Sequence, residues 1–298
     1  MSPASYIEYE ASLKSLETEN YLDRLFFRPV GFLIAKLLCK TGITPNTITI
    51  LSIFVGAASG PLFYYNNFHF TLLGILCLVF ANILDCVDGQ LARMTGLNTK
   101  IGRILDGLAG DIWFTLIYIF LALRLKNEFG TWLFFIPALL SGISHLAQAN
   151  ITDYYKTLHL FFVGKDKGND FQNTSEVSAQ YKKLKPGIRK ILFYFYVHYT
   201  ALQEASTPRL QEMLQHLKSR YGDNIPNEIC VDFRRQSNRL MKVFIDLMTF
   251  NGRVIFLIIA VITKYVWTYF VFEIIVLNLV FLLSIYLHET ICTKFIGR

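Results

Sequence analysis

The sequence predicts an all-α, polytopic membrane helix bundle with about six transmembrane helices and an amphipathic interfacial helix near its N-terminus. Hydrophobic residues make up 53% of the 298 residues and charged residues only 17%, whereas soluble domains carry roughly 25% charged residues. The apolar residues fall into blocks of about 17–22, the length that a helix needs to cross a bilayer. No period of about 20–50 residues repeats along the chain, which excludes a solenoid.

The elements follow in order. Residues 24–40 mix bulky apolar side chains with four basic ones, a pattern typical of a helix that lies along the membrane surface. Thr44, Pro45 and Asn46 then give a helix-start signal. Six spans are predicted at about 47–65, 68–84, 104–123, 131–151, 254–267 and 270–287, and the second helix is expected to continue to Arg93.

Charge and polarity divide the chain into four segments. They are a cytosolic tail with the amphipathic helix (1–43), a four-span core (44–151), a cytosolic or interfacial insert (152–251) and the last two spans (252–298). Basic residues between spans two and three and after the last span predict that these ends and both termini face the cytosol. The net charge of +7, in a chain this apolar, favours a membrane surface and phosphate-bearing substrates over nucleic acid.

The residues that carry chemistry lie where span two ends and span three begins. They are Asp85, Asp88, Gly89, Ala92 and Arg93, then eight residues, then Gly102 and Asp106. In a helix, the first five share one face, and so do the last two. Antiparallel helices joined by a short turn can point these faces at each other, which brings three carboxylates together near the membrane surface.

Carboxylates at membrane depth are costly unless they are paired or bind a cation. Three of them fit a hard divalent ion, Mg²⁺ or Mn²⁺, held by oxygens together with substrate phosphates. Gly89 and Ala92 leave room for a ligand, and Arg93 is suited to contact phosphate. The plainer alternative is that the acids end helices and pair with Arg93, Lys100 and Arg103.

This spacing resembles the signature of the CDP-alcohol phosphotransferases, D-x-x-D-G-x-x-A-R-x8-G-x3-D-x3-D. The resemblance covers residues 24–150 well and the remainder only in architecture. It implies an integral membrane enzyme, with its active site at the cytosolic face, that transfers a phospho-alcohol from a CDP-alcohol donor to a hydroxyl acceptor and releases CMP. By position, Asp85, Asp88 and Asp106 would be the metal ligands, and Gly89, Ala92, Arg93 and Gly102 would line the substrate site.

The chain departs from the signature at its last aspartate, which is Gly110 here and is followed by Asp111. In a regular helix Asp111 would lie about 140° around from Asp106. Three explanations follow: a π-bulge that brings Asp111 into the missing catalytic position, His145 on span four as the base, or lost catalysis. The alternative for His145 is a hydrogen-bonded packing residue beside Ser141, Ser144, Gln148 and Asn150.

Three further features remain open. Gly56 and Gly60 form a GxxxG pattern that favours helix packing within the chain, with a homodimer face as the other use. The aromatic run 191–197 is too short to span and is expected at the interface or packed on the bundle. The basic residues Lys182, Lys183, Lys185, Arg189 and Lys190 form a solvated or lipid-facing patch, with binding of an anionic head group as the alternative.

The sequence does not decide whether the donor or the acceptor is the lipid. In one version a CDP-lipid reacts with a soluble alcohol, and in the other a soluble CDP-alcohol reacts with diacylglycerol or a sphingoid lipid. The alternative outside catalysis is a membrane scaffold or lipid-binding protein that keeps the fold. A transporter is disfavoured because no paired broken helices mark two halves of the chain.

Overall fold

The fold is that of a computed structural model, which describes residues 3–15, 17–164, 171–222 and 224–296. Within these ranges the chain is helical and contains no strand. The α-helices, in chain order, are α1 (Pro3–Ala11), α2 (Arg28–Leu38), α3 (Pro45–Ala57), α4 (Ser59–Tyr64), α5 (Phe68–Thr95), α6 (Lys100–Phe129), α7 (Phe135–Val163), α8 (Thr174–Lys183), α9 (Ile188–Ala205), α10 (Pro208–Tyr221), α11 (Asn227–Leu240), α12 (Phe250–Ile262), α13 (Trp267–Val271) and α14 (Leu277–Thr293).

Six helical segments of the described chain are long and apolar enough to cross a membrane. They are Pro45–Tyr64, Phe68–Thr95, Lys100–Phe129, Trp132–Val163, Asn227–Ile262 and Trp267–Thr293. The all-α membrane fold and its six spans are therefore confirmed. The fifth helical segment begins earlier than the predicted residue 254, because α11 continues through a π-helical turn at Met241–Ile245. It ends at Ile262, ahead of the predicted end at 267.

The chain forms two compact units. The first consists of Met1–Leu146 and Phe250–Val276, and the second of Ala147–Thr249 and Leu277–Arg298. In the first unit α5 packs against α2, α3 and α4, and α6 packs against α3 and α4. In the second unit α8 packs against α9, while α10 and α11 pack against α14.

The glycine pair of span one brings helices together inside the first unit. A Cβ atom at Gly56 would overlap the indole of Trp113, and one at Gly60 would lie 3.0 Å from the backbone of Leu116. Both contacts are with α6, so the small residues allow close helix approach within the chain, as the packing interpretation predicts. This glycine face is therefore occupied and does not offer a dimer surface.

Residues 23–38 expose one apolar face, as an interfacial helix would. The π-helical turn Asp23–Phe27 leads directly into α2, and Leu25, Leu33 and Leu37 are exposed. The opposite face is buried, with Phe32 and Ala35 fully covered. The amphipathic character of this segment and its location at the membrane surface both stay predictions.

A buried ion pair joins the last helices of the first unit. The guanidinium of Arg253 on α12 donates to the carboxylate of Glu273, and the two side chains are 2% and 0% exposed. We expect Glu273→Ala to lower the free energy of unfolding by about 3–5 kcal/mol, because it leaves a buried guanidinium without this carboxylate. Thermal unfolding in detergent micelles measures the change.

Two comparisons identify the cause of that loss. The double variant Arg253→Met/Glu273→Leu should recover most of the stability, since it removes both charges. Glu212→Ala, which breaks an exposed pair with Arg209, should cost no more than about 1 kcal/mol. Equal losses in Glu273→Ala and in the double variant would show that packing, and not the charge, is responsible.

Candidate active site

The turn between α5 and α6 sets the geometry of the acidic motif. Helix α5 ends at Thr95 and is capped by Gly96, whose φ of 71° is a left-handed conformation that glycine adopts without strain. Helix α6 begins at Lys100 and is capped by Thr99, whose hydroxyl accepts a hydrogen bond from the backbone N–H of Gly102 at 3.0 Å. This capped turn returns the chain antiparallel, so that the motif residues of the two helices lie side by side.

The three motif aspartates meet as the spacing predicts. One carboxylate oxygen from each of Asp85, Asp88 and Asp106 lies within 4.8 Å of the other two. Asp88 is buried, and its Oδ2 atom has no hydrogen-bond partner among the described residues. A buried carboxylate oxygen without a donor is costly, and a bound divalent cation would remove that cost. These residues therefore fit such an ion.

One cation near this cluster, Arg28, is itself engaged with another carboxylate. Arg28 interacts electrostatically with Asp85 and Asp88, but its Nε atom donates to Glu19 at 2.8 Å. Its charge is thus shared with a carboxylate outside the cluster. The alternative interpretation, in which the acids serve only as partners for nearby bases, does not account for the free oxygen of Asp88.

Arg93 lies against the face that Gly89 leaves open. A Cβ atom at Gly89 would be 3.3 Å from the Nη2 atom of Arg93. The Nε atom of Arg93 donates to the backbone carbonyl of Ser12, while Nη2 is buried without a partner in the described structure. An unused donor of a fixed guanidinium, beside a glycine and near Asp88, is what a phosphate oxygen requires.

The other two predicted substrate-binding residues differ in their surroundings. Ala92 is half-buried on the same helix. At Gly102, a Cβ atom would lie 2.7 Å from the Oδ1 atom of Asn46 and 3.0 Å from the Thr99 hydroxyl. Gly102 therefore permits the close approach of α6 to the helix start at Thr44–Asn46. A side chain at position 102 would push α6 away from that helix start.

The face of Gly110 is open. Helix α6 is α-helical throughout Lys100–Phe129, so the π-bulge hypothesis for Asp111 is wrong. Apart from the adjoining residues and backbone of α6 itself, no atom of the described structure lies within 4 Å of a Cβ atom built at Gly110 or at Gly107. Gly110 lies four residues after Asp106 and shares its face, so the position of the family's last aspartate is free space beside the acidic cluster.

Asp111 and His145, which the sequence offered as competing candidates, lie against each other. The Oδ1 atom of Asp111 is 3.6 Å from the Nε2 atom of His145, longer than a direct hydrogen bond but within reach of a bridging water or hydroxyl. The Nδ1 atom of His145 is 3.1 Å from the hydroxyl of Tyr118. The observed polar partners of His145 are thus on α6, not the neighbouring polar residues of its own helix.

Sequence reasoning missed the N-terminal contribution to this site. Ser12, which is 1% exposed, accepts a hydrogen bond at its hydroxyl from the Nε2 atom of Gln90 at 3.0 Å. Its carbonyl accepts from Arg93, and its hydroxyl donates to the carbonyl of Tyr9 at 2.7 Å. The separation of Ser12 from Arg93 is 81 residues, and no local pattern marks such a contact.

Fold and site together define a polytopic helical membrane protein with an acidic cluster where two spans meet. The family model for CDP-alcohol phosphatidyltransferases matches residues 42–202. The chain belongs to this family. The matched region contains all seven motif residues as well as Asp111 and His145.

Individual relatives align over a shorter region. An archaetidylinositol phosphate synthase from Pyrococcus horikoshii is 42% identical over 73 residues, which is 24% of this chain and 37% of the relative. A phosphatidylinositol phosphate synthase from Streptomyces avermitilis is 34% identical over 89 residues (29% and 35%). A CDP-diacylglycerol–glycerol-3-phosphate 3-phosphatidyltransferase from Rickettsia typhi is 40% identical over 68 residues (23% and 38%). The alignments thus span little more than a third of each relative.

Proposed function

We propose that this protein transfers a phosphatidyl group from a CDP-linked lipid to the hydroxyl of an acceptor alcohol and releases CMP. In this reaction the acceptor oxygen forms a bond to the phosphorus that carries the lipid, and the bond from that phosphorus to the bridging oxygen of CMP breaks. The observation that carries the proposal is the convergence of Asp85, Asp88 and Asp106, with an unpartnered oxygen on Asp88.

The two sides of this cluster have separate roles. Asp85, Asp88 and Asp106 would hold a divalent cation, Mg²⁺ or Mn²⁺, which when bound neutralises charge on the diphosphate. The buried Nη2 atom of Arg93 donates to a phosphate oxygen, and the fixed position of this guanidinium makes the contact directional. Gly89 leaves the space in which the nucleotide lies against α5.

On the acceptor side, the Asp111–His145 pair takes the proton of the attacking hydroxyl. Tyr118 holds the imidazole ring through Nδ1, so Nε2 faces Asp111. Because Asp111 lies on another face of α6 from Asp106, the proton passes to the pair through a bridging water. The open space at Gly110 receives the acceptor.

The relatives support a lipid donor. The name of the Rickettsia typhi relative specifies CDP-diacylglycerol and glycerol 3-phosphate, and the names of the other two end in inositol phosphate synthase. A soluble acceptor alcohol that carries a phosphate group fits the names of these three relatives. Transfer from a soluble CDP-alcohol to diacylglycerol or a sphingoid lipid is the second version, and the same assay distinguishes the two.

The test is CMP release by the purified protein reconstituted in lipid with Mg²⁺. CDP-diacylglycerol is supplied with inositol phosphate, glycerol 3-phosphate, inositol or serine in separate reactions, and soluble CDP-alcohols are supplied with diacylglycerol. We expect CMP from at least one pair with the lipid donor and none from the Asp88→Asn variant. If no pair yields CMP above that control, the protein is a scaffold or lipid-binding member of the fold.

Replacement of Arg93 by Gln should weaken donor binding. The loss of one charge-assisted hydrogen bond to phosphate is expected to raise the KM for the CDP-lipid about ten- to a hundredfold, with a smaller change in kcat. Steady-state kinetics at saturating acceptor measures both constants. Arg235→Gln, which changes an exposed arginine, is the matched control and should leave both unchanged.

The basic residues around the motif support a cytosolic active site. Arg93, Lys100 and Arg103 surround the α5–α6 turn, and the positive-inside rule assigns such a turn to the cytosol. A CDP-linked donor and a phosphorylated acceptor are charged molecules that would approach from the aqueous side. Accessibility of the turn to a membrane-impermeant lysine reagent, applied to sealed vesicles of known orientation, tests this assignment.

A further inference from the structure

Helix α9 in the second unit exposes large apolar side chains and buries polar ones. Its buried face includes Thr200 and Gln203 together with Phe193, which are 2%, 5% and 6% exposed. Its exposed face is mainly apolar: it presents Ile188, Ile191, Tyr194, Phe195 and Leu202, each 48–69% exposed, with the exposed His198 beside Tyr194. In a 3.6-residue helix these five side chains form one continuous surface.

Hydrogen bonds fix this orientation. The Nε2 atom of Gln203 donates to the carbonyl of Asn150 at 3.0 Å, and the Nδ2 atom of Asn150 donates to the carbonyl of Tyr199 at 3.0 Å. Rolling the helix to bury its apolar face would break both bonds and expose the groups that make them. The outward apolar face is therefore a property of the folded second unit.

A basic cluster adjoins this surface. Lys182 and Lys183 end α8, and Lys185 and Arg189 lie in the turn into α9 and in its first turn; all four are exposed. The segment 181–190 contains no Asp or Glu, and within the described structure none of the four forms an ion pair. Lys190 lies 5.2 Å from the ring of Tyr181, which joins the ends of the α8–α9 hairpin.

We infer that the α9 face and this basic cluster together bind the anionic surface of the lipid bilayer. Apolar and aromatic side chains on one side of a helix, beside exposed lysines, are the features of helices that lie in the headgroup region. Anionic lipids attract such lysines over roughly a Debye length. The apolar run of α9 is too short to span, and Tyr194 suits the boundary between water and hydrocarbon.

The charge pattern favours lipid over a second copy of this chain. A copy would present the same cluster of positive charges, with a chain charge of +7, and like charges would oppose the contact. A membrane surface that contains phosphatidylserine has the opposite charge to the basic cluster. Such a surface can also contact the apolar face of α9 along its whole length. Six helical segments of the described chain are long and apolar enough to cross a membrane, so a bilayer is a surface that this protein is expected to meet.

The test measures depth in the membrane and does not depend on catalysis. The full-length Phe195→Trp variant is reconstituted in phosphatidylcholine vesicles with about 30 mol% phosphatidylserine, which gives an anionic surface. Part of the phosphatidylcholine is brominated near the headgroup end of its acyl chains. After subtraction of the parent protein's emission, we expect the added indole to lose about half of its fluorescence or more, as for burial 5–10 Å into the interface. Gln215→Trp, on an exposed polar position of α10, is the matched control and should lose little.

Charge reversal tests the electrostatic part. In the Phe195→Trp background, Lys182→Glu/Lys183→Glu/Lys185→Glu should remove the dependence of quenching on phosphatidylserine, while the unfolding temperature in detergent stays unchanged. If the indole at position 195 is quenched no more than the one at position 215, the face is covered by protein and the inference fails. Equal quenching with and without phosphatidylserine in the parent background would overturn the role of the basic cluster.

Discussion

Replacement of Asp88 by Asn is expected to lower the rate of CMP release at least about a thousandfold, since in the proposed function Asp88 holds a divalent cation whose loss removes several kcal/mol of transition-state stabilisation. Asn keeps the size of the side chain and one oxygen but loses the negative charge. Asp88 is the most deeply buried of the three motif aspartates and carries the unpartnered oxygen. We therefore expect no other residue to replace the negative charge of Asp88. The rate of CMP release measures the effect of losing that charge.

A metal-binding measurement separates this role from a structural one. Mn²⁺ binding to the purified protein, followed by the loss of the free-ion paramagnetic resonance signal, should weaken in Asp88→Asn without any substrate present. Asp153→Asn, in the second unit, is the matched control and should bind Mn²⁺ and release CMP like the parent. Normal Mn²⁺ affinity in Asp88→Asn would show that the cluster does not hold the ion through this residue.

The acidic cluster was predictable because it depends on local rules. The spacing of Asp85 and Asp88 puts both on one helix face, and the short capped turn returns Asp106 to that face. Thr44 and Pro45 start α3 as the sequence indicates, with the Thr44 hydroxyl accepting from the backbone N–H of Thr47. Helical period and capping chemistry act over a few residues, so they can be inferred from one sequence.

Contacts between distant segments were not predictable in this way. The link from Ser12 to Arg93 and Gln90 depends on how the N-terminal segment packs over α5. The early start of the fifth helical segment has a similar cause, because the polar residues of α11 gave no apolar signal for a helix that continues towards the span. Tertiary packing decides both features, and periodicity in a single sequence does not report it.

The basic turn between spans three and four illustrates the same limit. Arg124 lies near the end of α6, away from the turn that is predicted to face the cytosol, so an exposed charge there would count against that predicted orientation. The structure shows that its guanidinium is 2% exposed and bonds to Glu128, Asn66 and the carbonyl of Phe63. A charge that is compensated inside the protein carries little weight in the positive-inside rule, which reflects exposed loop charges.

Replacement of Asp111 by Asn should lower kcat about a hundred- to ten-thousandfold, the contribution typical of a general base, while Mn²⁺ and CDP binding stay near parental values. The reason is that Asp111 faces His145 at 3.6 Å, on another face of α6 from the acidic cluster. His145→Gln should give a loss of the same order, because the two residues act as one unit. Single-turnover CMP release with bound donor measures the chemical step.

The vacancy at Gly110 supplies the decisive comparison. An aspartate introduced by Gly110→Asp would have no atom of the described structure within 4 Å of its Cβ, apart from the adjoining part of α6. Its carboxylate would lie on the face of Asp106, where the family signature has its last aspartate. In the Asp111→Asn background, Gly110→Asp is expected to restore part of the lost kcat, because it returns a base to the acceptor side of the cluster. Gly110→Asn has nearly the same size without the charge and should restore nothing.

If Asp111→Asn alone retains full turnover, the pair with His145 is a packing contact and the acceptor proton leaves by another route. If Gly110→Asn restores turnover as well as Gly110→Asp does, the gain comes from filling space beside Asp106 and not from proton transfer.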